Sequence, residues 1–236
     1  MKEASVGDKL WHIKQCPLFS AMSPEEMRAI ESAAQMYEVP KNKVLPPPPG
    51  DEPSLFVVKK GHVQLTYTDE GGNEAVVILL GPGDVFGSLD HTDLTFGEHC
   101  RTVSDACICR ISRTKFEHML HKYPNLAFHL TKFSLLRINR LQVRLAEMMM
   151  RQADERLALA LLDLDKQVGR DDADGRRRLA LALTHADLGK LIGTTREMVT
   201  ILLGKFRSAD LVESEKGWLF LKDREGLRNL ATRTAR

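Results

Sequence analysis

Residues 184–206 read THADLGKLIGTTREMVTILLGKF, and this stretch decides the architecture of the C-terminal part of the chain. Thr184 is a favourable helix N-cap, and Gly193 is expected to end the helix that follows it. A second helix is predicted to begin at Thr194 or Thr195, after a turn of only a few residues. Two helices joined by so short a turn are typical of a helix-turn-helix.

The apolar and polar residues of this stretch divide between two faces. The apolar positions, which let the two helices pack on each other, are Leu188, Ile192, Val199, Leu202, Leu203 and Phe206. The outer face of the second helix is left with Arg196, Glu197, Thr200 and Lys205. An exposed polar face on the second helix of such a motif is the part that meets DNA.

Side chains in the first turn of that helix are candidates for base recognition. In the major groove, an Arg can donate two hydrogen bonds to guanine and a Glu can accept one from cytosine N4. We therefore expect Arg196, Glu197 and Thr200 to contact bases. Contacts to phosphates, which position the helix without specifying sequence, are expected from Thr184, His185, Thr195 and Lys205.

A simpler interpretation exists for the same two charged residues. Glu197 has the right spacing to complete a capping box with Thr194, and Arg196 would then be a solvated surface charge. Capping and base recognition can coexist, so both interpretations stay open at this point.

The sequence on either side extends the same domain. Residues 153–169 (ADERLALALLDLDKQVG) are predicted to form an amphipathic helix, followed by a charged loop, DDADGRRR, at 171–178. Residues 211–223 (LVESEKGWLFLKD) are predicted to form two short strands about a Glu-Lys-Gly turn, which makes a wing. The sequence thus predicts a winged helix-turn-helix domain over residues 153–236.

A long helix is predicted before this domain. From Asn125 to about Gln152 there is neither Gly nor Pro. An apolar seam recurs at three-to-four-residue spacing, comprising Leu135, Ile138, Leu141 (or Gln142), Leu145 and Met148. At about 1.5 Å per residue the helix is some 40 Å long, more than a small barrel can cover. We expect the seam to meet the same helix of a second subunit, the alternative being packing on its own domain.

The N-terminal half has the sequence pattern of a small all-β domain. From Val44 to Arg110 short β runs are separated by Gly, Pro and Asp, as in an antiparallel sandwich or barrel. Residues 62–67 alternate polar and apolar side chains, which predicts that one face of this strand is buried. Two short helices are predicted at the borders, over residues 25–35 with Ser23 as N-cap and over 113–123.

Composition excludes several classes of protein. The 236 residues are 43% hydrophobic and 28% charged, and no apolar run approaches the roughly 18 residues of a membrane span. The polar N-terminus has no signal-peptide pattern, so we expect a cytoplasmic location. The net charge of +2 is too mild to identify a nucleic-acid binder. No nucleophile, metal or phosphate-loop motif is present, and we expect no enzymatic activity.

These motifs resemble the CRP/FNR family of transcription regulators over nearly the whole chain. GDEPSLFVVKKGHVQL (50–65) and LGPGDVFGSL (80–89) are similar to the sensor-domain signatures, and TTREMVTILLGKF (194–206) is similar to the recognition helix. The resemblance implies an α+β fold with a cyclic-nucleotide-binding-like jelly-roll β-barrel at residues 1–123, a dimerisation helix at 124–152 and the winged domain. It also implies a homodimer that binds two-fold symmetric operators and recruits or obstructs RNA polymerase.

One residue of the recognition helix departs from the family pattern. In cyclic-AMP-responsive members a second Arg follows one turn after the Arg-Glu pair, and the matching position here is Ile201. Isoleucine cannot donate a hydrogen bond. We expect a half-site that keeps the preferences set by Arg196 and Glu197 but is looser, or favours a thymine methyl, at the base that the second Arg would contact.

The effector pocket departs further. Cyclic-AMP binders use a Glu in a Gly-Glu-Leu strand end and an Arg-Ser pair, to hold the ribose and the phosphate. The positions matching this pocket are Gly87, Ser88, Leu89, Phe96 and Gly97, with Leu141 and Gln142 where the dimer helix touches the base. An uncompensated phosphate there would cost several kcal/mol, so cyclic AMP is not expected to bind unless Arg101 approaches the pocket.

The sequence leaves the effector open. Cys16 alone stands in the N-terminal region, which argues against a four-cysteine iron–sulfur cluster. Cys107 and Cys109, with Cys100 nearby, are candidates for thiol redox sensing or, more simply, for packing in a barrel wall. Haem is not excluded, since possible ligands are scattered at His12, His62, His91, His99 and His129.

Two further alternatives concern the function itself. The protein can be locked in its DNA-binding form and controlled by abundance, with no ligand to shift its dimer helices. A regulatory cyclic-nucleotide-binding subunit would use the same barrel, but the winged domain argues against that class.

Overall fold

The strands in the first half of the chain form two antiparallel sheets. The computed structural model describes residues 2–3, 23–45, 52–72, 74–89 and 97–232. The chain divides into two units, Met1–Arg140 and Leu141–Arg236. The strands of the first unit are β1 (Lys2–Glu3), β2 (Gln35–Val39), β3 (Ser54–Lys60), β4 (Val63–Thr68), β5 (Glu74–Leu80), β6 (Val85–Ser88), β7 (Gly97–Thr102) and β8 (Ala106–Ser112).

Both sheets share one apolar core. The order is β1-β2-β8-β3-β6 in one sheet and β5-β4-β7 in the other. Side chains from both sheets meet in a buried cluster that includes Val58, Val63, Leu80 and Ile108. This arrangement confirms the predicted N-terminal β-domain, in which alternate residues of facing strands fill the space between two sheets.

Three helices cover the other face of the five-stranded sheet. They are α1 (Pro24–Ala33), α2 (Arg113–Lys122) and α3 (Pro124–Met150). Ile30, Phe116 and Leu126 bring them into a second buried cluster with side chains of β3 and β8. Ser23 forms the predicted N-cap of α1, with Glu26 completing a capping box. Within the described ranges, no helix has both the length and the apolar character that crossing a bilayer requires.

One helix boundary in the β-domain differs from the expectation, and one strand is more buried than its sequence pattern indicates. The first helix ends at Ala33 and residues 35–39 form β2, because β2 pairs along its whole length with the distant strand β8. The polar face of β4 is not exposed: Gln64 and Thr66 are 5% and 1% accessible. The first four residues of β4 are all buried, so both faces of this part of the strand are covered, a property that a local polar–apolar alternation does not reveal.

The second unit contains the predicted winged helix-turn-helix. Its helices after α3 are α4 (Ala153–Val168), α5 (His185–Ile192), α6 (Arg196–Ser208) and α7 (Arg224–Ala231). Its strands are β9 (Gly169–Asp171), β10 (Arg177–Leu179), β11 (Val212–Glu215) and β12 (Trp218–Leu221), in the order β11-β12-β10-β9. The β11–β12 wing turns at Lys216 and Gly217, whose φ angles of 49° and 80° suit a tight hairpin.

The charged stretch at 171–178 is not a loop throughout, as expected, but part of a hairpin formed by β9 and β10. Two arginines of this stretch pack over aromatic rings of the wing strand β12. The Arg176 guanidinium lies 4.4 Å from the Phe220 ring centroid, and that of Arg178 lies 4.4 Å from the Trp218 ring centroid. Cation–π contacts of this kind attract a guanidinium to the face of an aromatic ring, so both arginines help to hold the hairpin against β12.

A buried carboxylate links this hairpin to the last helix. Asp165 of α4 is 1% accessible and pairs with Arg177 at 2.5 Å and Arg224 at 3.1 Å. Helix α7, which the sequence analysis did not predict, begins after Asp223, whose side chain accepts a hydrogen bond from the Gly226 backbone N–H. A buried charge is stable only when it is paired, so Asp165 holds β10 and α7 against α4.

Candidate DNA interface

The turn between α5 and α6 is tight, and glycines at two positions make it possible. Gly193 caps α5 in the left-handed region, with φ 66° and ψ 49°. The backbone N–H groups of Gly193 and Thr194 both donate to the Gly189 carbonyl. A Cβ at Gly189 would lie only 2.8 Å from the Thr194 carbonyl oxygen, so the close approach of the two helices requires glycine there.

Helix α6 begins with a Thr195 cap. The Thr195 hydroxyl accepts a hydrogen bond from the Met198 backbone N–H at 3.2 Å. Glu197 is therefore the second residue of the helix, and the alternative in which it forms a capping box with Thr194 is wrong.

The predicted division of the two helices into buried and exposed faces is confirmed. The buried positions on both helices include Leu188, Ile192, Val199, Leu202, Leu203 and Phe206. Arg196, Glu197, Thr200, Ile201 and Lys205 are all exposed. The outer face of α6 thus presents two charges in its first turn, a hydroxyl and an aliphatic side chain in its second, and a lysine after them.

Arg196 and Glu197 are available for new contacts. Among the residues that the structure describes, neither side chain has a hydrogen-bond or ion-pair partner. Both lie in the first turn, where the helix dipole is positive and backbone N–H groups point outward. An Arg and a Glu in such a position can reach the base edges of a major groove.

Thr200 and His185 form a pair that sequence reasoning missed. The Thr200 hydroxyl donates to the Arg196 carbonyl at 3.0 Å, and His185 Nδ1 lies 2.8 Å from the same hydroxyl. The Thr200 hydroxyl therefore lies within hydrogen-bond distance of both the Arg196 carbonyl and the His185 ring. The pair links α5 to α6, and residues fifteen positions apart on different helices leave no signal in the local sequence pattern.

Thr184 is committed to its own helix. Its hydroxyl donates to Asp187 Oδ2 at 2.7 Å and accepts from the Asp187 backbone N–H at 3.1 Å, while its own N–H donates to the same carboxylate. Both donors of Thr184 are therefore used in a capping box. In contrast, the Thr195 hydroxyl proton and the Lys205 ammonium lie on exposed residues at the edge of the same face.

The seam residues of α3 are exposed in the single chain. Leu135, Ile138 and Leu145 are 61%, 50% and 60% accessible, and Leu141 and Met148 are also exposed. Leu126, near the start of the same helix, is instead buried in the first unit's core. A row of large apolar side chains left in water is unusual for a monomeric protein and marks a surface for association.

The predicted effector positions lack a carboxylate at the end of β6. Gly87 has φ 96°, and a Cβ there would lie 2.3 Å from the Ser54 carbonyl oxygen, so its conformation requires glycine. Ser88 is exposed, and Leu89 packs against the buried cluster of the helices. Phe96 lies outside the described residues, and Gly97 begins β7. Leu141 and Gln142 are exposed on the second unit's part of α3.

The cysteines of the β-domain lie in two different clusters. Cys109 is buried with the helices and Cys107 packs beside it, whereas Cys100 is buried in the core between the sheets. Burial raises the pKa of the Cys107 thiol, a shift that Glu38 increases and Lys59 and Lys60 oppose. A raised pKa lowers the fraction of reactive thiolate, which favours packing as the role of Cys107.

The proposed haem ligands do not converge where they are described. His62 and His99 belong to the β-domain, and His99 Nε2 lies 3.7 Å from Glu74 Oε1. His129 lies on α3, while His12 and His91 fall outside the described residues. Across the described ranges, no group of three or more His, Cys, Asp or Glu side chains is placed to hold a metal ion.

Comparison with known proteins assigns a family model to each half of the chain. Residues 49–123 match the cyclic nucleotide-binding domain, and residues 155–230 match the Crp-like helix-turn-helix domain. The cyclic AMP receptor protein of Thermus thermophilus is 28% identical over 222 residues, covering 93% of this chain and 98% of that protein. A CRP-like cAMP-activated global transcriptional regulator of Mycobacterium tuberculosis is 23% identical, covering 93% and 95%.

A solved structure shows the same fold. A mutant of CooA from Carboxydothermus hydrogenoformans matches with a TM-score of 0.70 at 23% identity, covering 92% of this chain and 96% of that one. The shared architecture comprises the β-domain, the long helix and the C-terminal helix-turn-helix. The ligands that the names of these relatives mention are properties of those proteins.

Proposed function

The chain belongs to the CRP/FNR family of DNA-binding transcription regulators, and from this premise we propose that two copies together bind a two-fold symmetric operator. The observation that carries the proposal is the first turn of α6, where Arg196 and Glu197 are exposed and have no partner within the described residues. In each major groove, Arg196 donates to guanine and Glu197 accepts from cytosine N4.

The second turn of α6 refines the half-site. Thr200 offers mainly its methyl group, because its hydroxyl already contacts the Arg196 carbonyl and the His185 ring. Ile201 is 54% accessible and can contact a thymine methyl but cannot donate to a base. The half-site therefore lacks a strong guanine preference at the position that Ile201 faces.

Phosphate contacts are assigned to residues with available donors. Thr195 and Lys205 have them, and the Nε2 atom of His185 remains available on the exposed side of the ring, since it is Nδ1 that contacts Thr200. Thr184 can contribute only by giving up a bond in its capping box. These contacts position α6 and provide most of the salt dependence of binding.

The partner in the dimer is a second copy of the same chain. A stripe of apolar residues on a long helix is complementary to itself about a two-fold axis, and its three-to-four-residue spacing is that of a coiled coil. Leu135, Ile138 and Leu145, together with Leu141 and Met148, form this stripe. A homodimer of this kind mirrors the symmetry of a palindromic operator.

A Leu145→Glu substitution tests the dimer. A charge within the stripe would have to be buried unpaired, so sedimentation velocity should show monomers at concentrations where the wild-type protein is dimeric. Arg140→Glu is the matched control, since Arg140 is exposed on the same helix away from the stripe. A monomeric wild-type protein, or an undisturbed Leu145→Glu dimer, would contradict the proposed interface.

The regulator is proposed not to respond to cyclic AMP. Ser88 stands where a ribose-binding carboxylate is needed, and its hydroxyl cannot replace a charged acceptor for two ribose hydroxyls. Other modes of control remain as alternatives: regulation by abundance without a ligand, or sensing through haem or thiols on the same scaffold. Bound at its operator in the cytoplasm, the dimer would recruit or obstruct RNA polymerase.

Selection of binding sites from random duplex DNA tests the proposal as a whole. We expect an inverted repeat whose half-sites each contain a G·C pair contacted by Arg196 and a tolerant position facing Ile201. Recovery of no shared sequence, under reducing and oxidising conditions alike, would contradict the proposed function. Recovery of a half-site with two equally stringent guanines would contradict the role of Ile201.

A further inference from the structure

The carboxyl end of α5 is held by arginines from two other helices. The last carbonyls of a helix have no partners within it and carry the negative end of its dipole. In α5 the Gly189 carbonyl is satisfied by the turn that follows. The Leu191 carbonyl accepts a hydrogen bond from Arg144 Nη2 at 2.5 Å, and the Ile192 carbonyl accepts one from Arg156 Nε at 2.9 Å.

Arg156 also holds the carboxyl end of α3. Its Nη1 donates to the Arg151 carbonyl at 2.9 Å and approaches the Met148 carbonyl at 3.4 Å. One guanidinium thus joins the negative ends of two helices, with different nitrogen atoms directed at each. The planar fork of arginine makes this possible, whereas the single nitrogen of a lysine cannot occupy both places.

Further contacts bring the same two helix ends together. The Met148 methyl group lies 2.8 Å from the position that a Cβ on Gly193 would take, so α3 packs directly on the turn of the helix-turn-helix. Arg144 projects from α3 itself, and burial lowers the pKa of its guanidinium, opposed by Glu147 and Asp163. The Arg144 head group has therefore left water to reach the α5 carbonyl, a cost that its hydrogen bond offsets.

We propose that Arg144 and Arg156 form a carbonyl clamp that sets the position of the recognition helix α6 relative to the end of the dimer helix. The clamp fixes the end of α5, and only Gly193, Thr194 and Thr195 separate that end from the first residue of α6. Leu145 of the dimer stripe lies between the clamp residue Arg144 and the α3 end that Arg156 holds. The clamp therefore determines how far apart the two copies of Arg196 are held.

This inference rests on the proposed function, and it predicts a spacing effect that simple destabilisation does not. Changing the distance between half-sites by one base pair moves one of them by about 3.4 Å and rotates it by about 34°. A rigid dimer should reject the altered operator, by about tenfold or more in Kd. A dimer whose α6 helices have lost the clamp should tolerate it.

The test uses the full-length protein and duplexes carrying the selected inverted repeat, with the natural spacing or one base pair more or less. For Arg156→Met and Arg144→Met we expect the spacing discrimination to fall below about threefold, with dimer and helix content retained. Arg156→Lys should also lower the spacing discrimination. This second variant keeps the test decisive if Arg156→Met fails to fold. Discrimination equal to that of the wild-type protein in folded Arg156→Lys and Arg144→Met would overturn the proposal.

Arg151→Met is the matched control. The Arg151 side chain also donates to a carbonyl at a helix end, that of Ala231 in α7, but it does not touch α5. We expect this variant to keep the wild-type spacing preference, and an equal loss in Arg151→Met would overturn the clamp by showing a general effect of arginine removal. If the wild-type protein selects no operator at all, the proposed function fails first, so the two failures are distinguishable.

Discussion

The first turn of α6 and the end of β6 are two places where the family resemblance predicts contact with a ligand. They differ in whether the residue types expected from that resemblance are present. Arg196 and Glu197 stand at α6 with the charges that base recognition needs. At the end of β6, Ser88 stands where the family resemblance implies a carboxylate in cyclic-AMP binders, and Leu89 packs against the apolar core. Under the proposed function, this chain therefore combines the predicted DNA-contacting charges with an effector site that lacks the predicted nucleotide ligands.

The largest effect is expected at α6. Arg196→Ala removes a bidentate guanine contact from both half-sites, each worth about 1–3 kcal/mol, so the Kd for the operator should rise about 100-fold. Fluorescence anisotropy at fixed salt measures this directly. Arg207→Ala, an exposed arginine in the last turn of the same helix, should change the Kd less than about threefold. Equal losses in both variants would mean that Arg196 acts only through its charge.

A gain of specificity is expected at the neighbouring position. Ile201→Arg places a guanidinium where a base lacks a hydrogen-bonding partner, so a G·C pair there should be preferred by about tenfold. Competition between two duplexes that differ only at that base pair measures the preference. The unchanged wild-type protein is the reference, and an identical preference in both proteins would show that residue 201 does not face that base.

The reactivity of the cysteine thiols tests whether the β-domain has a redox-sensing role. Burial raises the pKa of Cys107, so at neutral pH its thiolate fraction is lower than that of an ordinary cysteine. Alkylation of Cys107 by iodoacetamide in the folded protein should be several-fold slower than in the urea-unfolded chain, and should accelerate as pH rises towards the raised pKa. Peptide mapping by mass spectrometry separates the cysteines. Faster alkylation in the folded state would favour a redox role.

The smallest effect is expected for cyclic AMP. A ligand at 100 times its Kd stabilises a protein by about 2.7 kcal/mol, which raises Tm by several degrees for a chain of this size. Millimolar cyclic AMP should shift the Tm of this protein by less than about 2 °C. The Thermus thermophilus cyclic AMP receptor protein is the positive control. A shift of several degrees here, or micromolar binding by calorimetry, would contradict the interpretation of Ser88.

Features that depend on local signals were predicted well from the sequence. Ser23 and Thr184 are caps whose hydroxyls bond to nearby backbone groups, so the starts of two helices follow from a few adjacent residues. The exposed charges of α6 follow from the helical spacing of its apolar residues. Both kinds of pattern are contained within a single turn or a single helix.

Features that depend on distant partners were missed. β2 exists because it pairs with β8, and the β9–β10 hairpin is stabilised by the stacking of Arg176 and Arg178 on rings of β12. The roles of Arg144 and Arg156 depend on carbonyl groups of a helix that lies more than thirty residues further along the chain. A charged residue in a sequence shows its charge but not the backbone group that will receive its hydrogen bonds.

Methylation interference at guanine N7 tests the central claim most directly, because N7 is one of the two acceptors that Arg196 would contact in the major groove. The account predicts that methylation blocks binding at one guanine in each half-site, at positions about one helical turn or a multiple apart on the same side of the duplex. In the Arg196→Ala dimer the same methyl groups should have little further effect. Interference at a single position, or interference that persists undiminished in the Arg196→Ala protein, would contradict it.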